Sequence, residues 1–136
     1  MNITIVGTGY VGLVTGTCFA EMGNTVSCID IDQEKIDNLN KGIIPIYEPG
    51  LKELILQNKK VGRLSFSTSL KDSMKKSNIF FIAVGTPENQ SGEANMEYVY
   101  NVAREIGENL ERESIIVDKS TVPVGTAEKV QTIIAE

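Results

Sequence analysis

No histidine and no tryptophan occur among the 136 residues. The missing histidine removes the commonest general base and every imidazole-based metal site. Cysteine is scarce, with only Cys18 and Cys28 present. Neither position offers the electropositive, partly open surroundings of a reactive thiolate, so both are read as small buried apolar side chains in a reducing compartment. Basic residues are outnumbered by acidic ones, 13 to 18, for a net charge of -5. That balance argues against nucleic acid as a partner, because phosphate backbones are held by surplus Lys and Arg. Long apolar runs are lacking too. The longest uncharged stretch, Met1 to Ala20, is interrupted by Thr and Gly and has no basic start. Neither a signal peptide nor a membrane span is expected, and the protein is expected in the cytoplasm.

What is present is ordinary for a globular protein, with 41% apolar and 23% charged residues. A chain of this length is expected to bury one core and form one domain. No internal repeat, low-complexity tract or linker interrupts it.

The stretch Ile3 to Gly12 carries the chemistry. Four apolar or β-type residues, Ile3-Thr4-Ile5-Val6, run into Gly7-Thr8-Gly9-Tyr10-Val11-Gly12, a G-x-G-x-x-G turn. In a dinucleotide-binding turn Gly7 makes the tight bend, Gly9 bares the backbone to a pyrophosphate, and Gly12 lets helix pack on strand. The helix starting near Tyr10 aims free N–H groups and its positive dipole end at the anion. Its core face is expected along Val11, Val14 and Cys18.

Gly23-Asn24 stops that helix, and Thr25 to Asp30 reads as a strand ending in an acid. Asp30 lies 18 residues beyond Gly12, near the spacing of a ribose-binding carboxylate. It is expected to accept from both adenosine ribose hydroxyls and to repel a 2′-phosphate, favouring NAD over NADP. Asp32 is the better N-cap for the helix that follows. Lys35 leaves three roles open: tolerating a phosphate, bracing Asp30, or holding the adenosine end of NAD.

Ile43 to Leu51 contains two prolines and stands where a plain unit would cross over directly. Tyr47 and Glu48 in it are read either as a rigid loop packed by its own side chains or as a contact to a substrate domain. A helix with Leu51, Leu54 and Ile55 follows, then a strand over 64–67 and a short helix capped by Ser69. The run Ile79 to Val84 is the most apolar and belongs in mid-sheet beside the first strand. At its end stands Gly85-Thr86-Pro87, where glycine admits a ligand to the backbone and threonine supplies a hydroxyl. Met96, Val99, Ala103, Ile106 and Leu110 form a helical core stripe. A fifth strand, Ser114 to Asp118, ends in Lys119-Ser120-Thr121, with Ser120 and Thr121 on a ligand-facing tip. Thr126 is expected to serve in capping the last helix. The alternation of strands and helices, with right-handed crossovers, predicts an α/β fold. It is a doubly wound parallel sheet, Rossmann-like, of order 3-2-1-4-5 with helices on both faces.

These residues resemble the N-terminal domain of the UDP-glucose 6-dehydrogenase family of nucleotide-sugar dehydrogenases. The resemblance spans essentially the whole chain. Gly7 to Leu13, Cys18 to Gly23, Ile44 to Leu51, Gly85 to Pro87 and Ser120 to Thr126 carry it. It implies that 1–136 is an NAD-binding domain, with the central helix and substrate domain absent. It also implies that Tyr10 and Val11 lie along the cofactor, with Asp30 and Lys35 at its adenosine end. Thr86 would lie further along it, and Thr121 near the nicotinamide and the reacting carbon in a supporting catalytic role. The family oxidises the C6 alcohol of the sugar to a carboxylate with two NAD, through a cysteine nucleophile that this chain is expected to lack. A nucleotide-sugar substrate and a homodimer are implied for a full-length protein, and a monomer for this chain. UDP-glucose is favoured, with UDP-N-acetylmannosamine and GDP-mannose as alternatives. A free-standing NAD-sensing regulatory module is the competing class.

Overall fold

The computed structural model describes Met1–Glu136. Its elements run β1 (Asn2–Val6), α1 (Tyr10–Glu21), β2 (Thr25–Ile29), α2 (Gln33–Asn40), α3 (Leu51–Lys60), β3 (Leu64–Ser67), α4 (Leu70–Met74), β4 (Ile79–Ile82), α5 (Glu97–Asn109), β5 (Ile115–Asp118) and α6 (Thr126–Ala135). The five strands pair in parallel in the order β3-β2-β1-β4-β5. The expected sheet is therefore the observed one.

Burial explains why β1 sits centrally. Ile3, Thr4, Ile5 and Val6 are all buried, so both faces of the strand need cover. Ile3 and Ile5 join Val26, Cys28, Leu64 and Phe66 under α1, α2 and α3. Val6 joins Phe80 and Ile82 on the other face under α4, α5 and α6. Alternation along each strand thus feeds two cores, one per face. Thr4 is the polar exception, and its hydroxyl donates to Ser77 Oγ at 2.9 Å.

The core face of α1 differs from the one expected. Gly12, Leu13, Gly16, Thr17 and Ala20 are buried, whereas Val11 and Cys18 are exposed. Small residues four apart let the helix axis approach the sheet closely, so that a Cβ on Gly16 would stand 2.7 Å from Cys28 Sγ. Close approach, not the larger apolar side chains, sets the packed side. Of the two cysteines, only Cys28 is buried.

Two ends of the sheet behave differently. At the edge where strands begin, the Arg112 guanidinium reaches the carbonyls of Met74, Lys75 and Ser77 at 3.2, 3.1 and 2.9 Å, closing the end of α4. At the other edge the strand tips open outward. Asn89 gathers the loop between β4 and α5, its Oδ1 accepting from the Ser91 and Glu93 amides.

Candidate functional site

Gly7 bends the chain out of β1 with φ +108°, and a Cβ there would collide with the carbonyl of Ala83, just after β4. A Cβ on Gly12 would collide with the Gly7 carbonyl. Only glycine fits either position. Gly9 is different: its Cβ position meets nothing within 4 Å. It is the N-cap of α1 in extended conformation, with no capping side chain and no acid in the first turn of the helix. The first N–H groups of α1 therefore face open space beside a bare glycine, which suits an anion.

A cleft of 510 Å³ lies over this turn. Gly7, Gly9, Asp30, Lys35 and Gly85 line it, together with Thr8, Ile31, Thr68 and Val84. Its far wall is α5, through Tyr98, Asn101, Val102 and Glu105. The tips of β1, β2 and β4 thus meet at the carboxyl edge of the sheet, where the strand order reverses.

Thr8 and Asp30 form the polar centre. Thr8 is buried, and both its amide and its hydroxyl donate to Asp30 Oδ2, at 3.0 and 2.7 Å. The Asp32 amide donates to Oδ1 at 3.0 Å, and Lys35 Nζ stands 3.6 Å from Oδ2. Burial pushes the Asp30 carboxyl up. The Thr8 hydroxyl, the Asp32 and Thr8 amides and the Lys35 charge together outweigh burial and hold it below the usual carboxylate range. Oδ1 is the oxygen with acceptor capacity to spare. Asp32 caps α2 as expected, accepting from the Lys35 amide at 3.1 Å.

Tyr10, at the first turn of α1, donates its hydroxyl to Glu48 Oε2 at 2.6 Å. That bond to a carboxylate raises the phenol above its ordinary value, so it stays a neutral donor. Val11 is exposed beside it. Neither side chain lines the cleft, and they border the turn instead.

The remaining tip residues are tied to one another. Thr86 Oγ1 donates to the Thr121 carbonyl at 2.7 Å, joining the segments after β4 and β5. The Ser120 hydroxyl turns inward to the Val84 carbonyl at 2.7 Å, so it braces the tip and does not face outward from it. Thr126 occupies the first turn of α6 and donates to the Pro123 carbonyl, while Gly125 is the N-cap. At the end of β5, Asp118 has a buried Oδ1 without a hydrogen-bond partner, and burial pushes its carboxyl up.

A profile of the NAD binding domain of the UDP-glucose/GDP-mannose dehydrogenase family matches residues 1–136. The chain belongs to this family. It is 51% identical over its whole length to the UDP-glucose 6-dehydrogenase YwqF of Bacillus subtilis and 52% identical to a UDP-glucose 6-dehydrogenase of Rhizobium meliloti. It spans 31% of the length of each of these relatives. Among solved structures, a GDP-mannose dehydrogenase from Pseudomonas aeruginosa superposes with a TM-score of 0.92 at 41% identity. A UDP-glucose dehydrogenase from Pyrobaculum islandicum gives 0.93 at 38%. Each superposition covers 98% of this chain and 32% of the other.

Thr8 and the α5 wall were not singled out from the sequence. Thr8 leaves no signal, being simply the residue between Gly7 and Gly9. Tyr98, Asn101 and Glu105 do leave one, since they share a face of α5 next to the core stripe at Val99, Ala103 and Ile106.

Proposed function

We propose that this chain is the cofactor-binding unit, residues 1–136, of an NAD-dependent nucleotide-sugar dehydrogenase that converts UDP-glucose to UDP-glucuronate. One observation carries the reading: the uncapped N-terminus of α1, the open face of Gly9 and the Asp30 carboxylate lie along a single cleft. Gly7, Gly9 and Gly12 shape the pyrophosphate seat. Asp30 holds the adenosine ribose through Oδ1, and Lys35 holds that end of the cofactor. Tyr10, Val11, Gly85, Thr86, Ser120 and Thr121 border its course toward the nicotinamide, with Thr121 near the reacting carbon. When bound, NAD supplies the hydride acceptor for oxidation of the C6 alcohol, two equivalents being reduced in turn. The names of the relatives at 51% and 52% identity support UDP-glucose over GDP-mannose.

No cysteine lines the cleft. Cys28 is buried under α1, and Cys18 is on the exposed side of that helix, about two and a half turns from Gly9. In this reading the chain by itself binds NAD and does not turn over. A protein of the relatives' full length would work as a cytoplasmic homodimer without nucleic acid or membrane, and this chain as a monomer. No helix is long and apolar enough to cross a membrane.

Calorimetric titration tests the first claim: heat with NAD and much less with NADP is expected, and silence with both overturns it. Formation of NADH from UDP-glucose by the 136-residue chain would overturn the second. For a protein of full length, faster turnover of GDP-mannose or UDP-N-acetylmannosamine than of UDP-glucose would reassign the substrate.

A further inference from the structure

The loop over 43–50 is joined to the cofactor turn by a hydrogen bond, Tyr10 Oη to Glu48 Oε2. Everything about the loop fixes Glu48 there. Exposure alternates along it, with Ile43, Pro45 and Tyr47 outward and Ile44, Ile46 and Glu48 turned in. Ile44 and Ile46 pack against the core beneath α1. Pro45 and Pro49 restrict the backbone, Gly50 turns it with φ +81°, and the Leu51 amide donates back to the Glu48 carbonyl at 3.0 Å. Leu51 and Ile55 then anchor α3 in the core. A backbone so held keeps the Glu48 side chain within reach of Tyr10.

Tyr10 needs such a point. It follows Gly9 directly, half of it is exposed, and its ring has no recorded aromatic partner. Helical side chains lean toward the N-terminus, so a freed Tyr10 ring would sweep the side of α1 where Gly9 lies, the approach the pyrophosphate would use. Held at its hydroxyl, the ring has already lost that freedom before a ligand arrives.

We propose that Glu48 is a positioning residue for the cofactor. It acts through Tyr10, clearing the approach to Gly9 and linking the order of the 43–50 loop to cofactor loading. The inference rests on the reading of the cleft as an NAD site. Linkage makes the effect reciprocal: if an ordered loop favours binding, binding must order the loop.

The test is a double-mutant cycle on the intact 136-residue chain, with NAD affinity measured by calorimetry and the thermal midpoint followed in parallel. Glu48→Ala is expected to weaken NAD by about threefold to tenfold, the scale of releasing one side chain at a binding surface. Glu48→Gln, which still accepts the phenol, should keep most of the affinity. In the presence of Tyr10→Phe, Glu48→Ala should cost nothing further. Tyr10→Phe keeps the ring and leaves the loop untouched, so hydrogen exchange gives an independent answer. NAD should slow exchange over 43–50 in the wild type and lose that effect in this variant. Equal NAD affinity for wild type and Glu48→Ala overturns the inference. So does an equal loss whether or not Tyr10→Phe is present, since a merely structural loop would behave that way. A wild-type chain that gives no heat with NAD removes the cleft reading itself and this inference with it, a result distinct from binding without coupling.

Discussion

Thr8 places two donors on one oxygen of Asp30, its amide at 3.0 Å and its hydroxyl at 2.7 Å. The Asp30 carboxylate is thus held by the same turn whose next residue, Gly9, opens to the cleft. Thr8→Val keeps the volume and removes one donor. The loss of a hydrogen bond to a charged acceptor predicts a fold less stable by about 1.5 kcal/mol. Asp30 is held below its ordinary pKa, so its stabilising contribution is present above the unfolded value and is lost as pH falls through the folded one. Thermal midpoints of wild type and Thr8→Val should therefore differ at pH 7 and draw together in acid.

Gly9 and Gly12 separate binding from folding. Gly12→Ala drives a methyl into the Gly7 carbonyl, and overpacking of this kind predicts a loss of about 1–3 kcal/mol or more of stability, read by urea unfolding. Gly9→Ala meets no protein atom. It should leave the unfolding midpoint unchanged and still weaken NAD, because the added methyl occupies the phosphate approach.

The two thiols should differ sharply in reactivity. An aromatic disulfide reagent should titrate one thiol quickly in the native protein, and mass mapping should assign it to exposed Cys18. Cys28 should react only on unfolding, since burial pushes its thiol up to about 12. Its neutral form is favoured in the fold. That contribution to stability is present below the unfolded thiol value, about 8.5, and is lost as pH rises from there toward the folded one.

Asp118 is predicted to oppose folding when ionised, because its Oδ1 is buried without a partner and burial pushes its carboxyl up. Asp118→Asn should raise the thermal midpoint at pH 7. The sign follows from linkage: a raised carboxyl stabilises the fold below the unfolded value, and that advantage is lost as pH rises through the folded one. The gain from the substitution should accordingly shrink as pH is lowered into the carboxylate range.

The sheet order was legible because each strand announced itself by local chemistry: the apolar run Ile79 to Val84 at mid-sheet, the acid at the end of β2, the glycines after β1. Asp32 and Ser69 were legible as caps for the same reason, being short-range hydrogen-bonding choices. The packed face of α1 was not, because hydrophobic periodicity ranks Val11 and Cys18 above Gly12 and Gly16. What decides that face is how near a helix can come to a sheet, a property of two elements together. The same limit hid Thr8, whose partner is 22 positions away, and Ser120, whose hydroxyl is taken by the Val84 carbonyl just beyond β4. Spacing located the cleft from its glycines and its acid, but side-chain direction within it is settled by contacts between segments remote in sequence.

The bond from Thr86 to the Thr121 carbonyl joins two segments 35 positions apart. Its consequence is mechanical. The segments after β4 and β5 are tied at that point, so a molecule that orders one of them has less left to order in the other. The loss of chain entropy on binding is then smaller than for two untied segments.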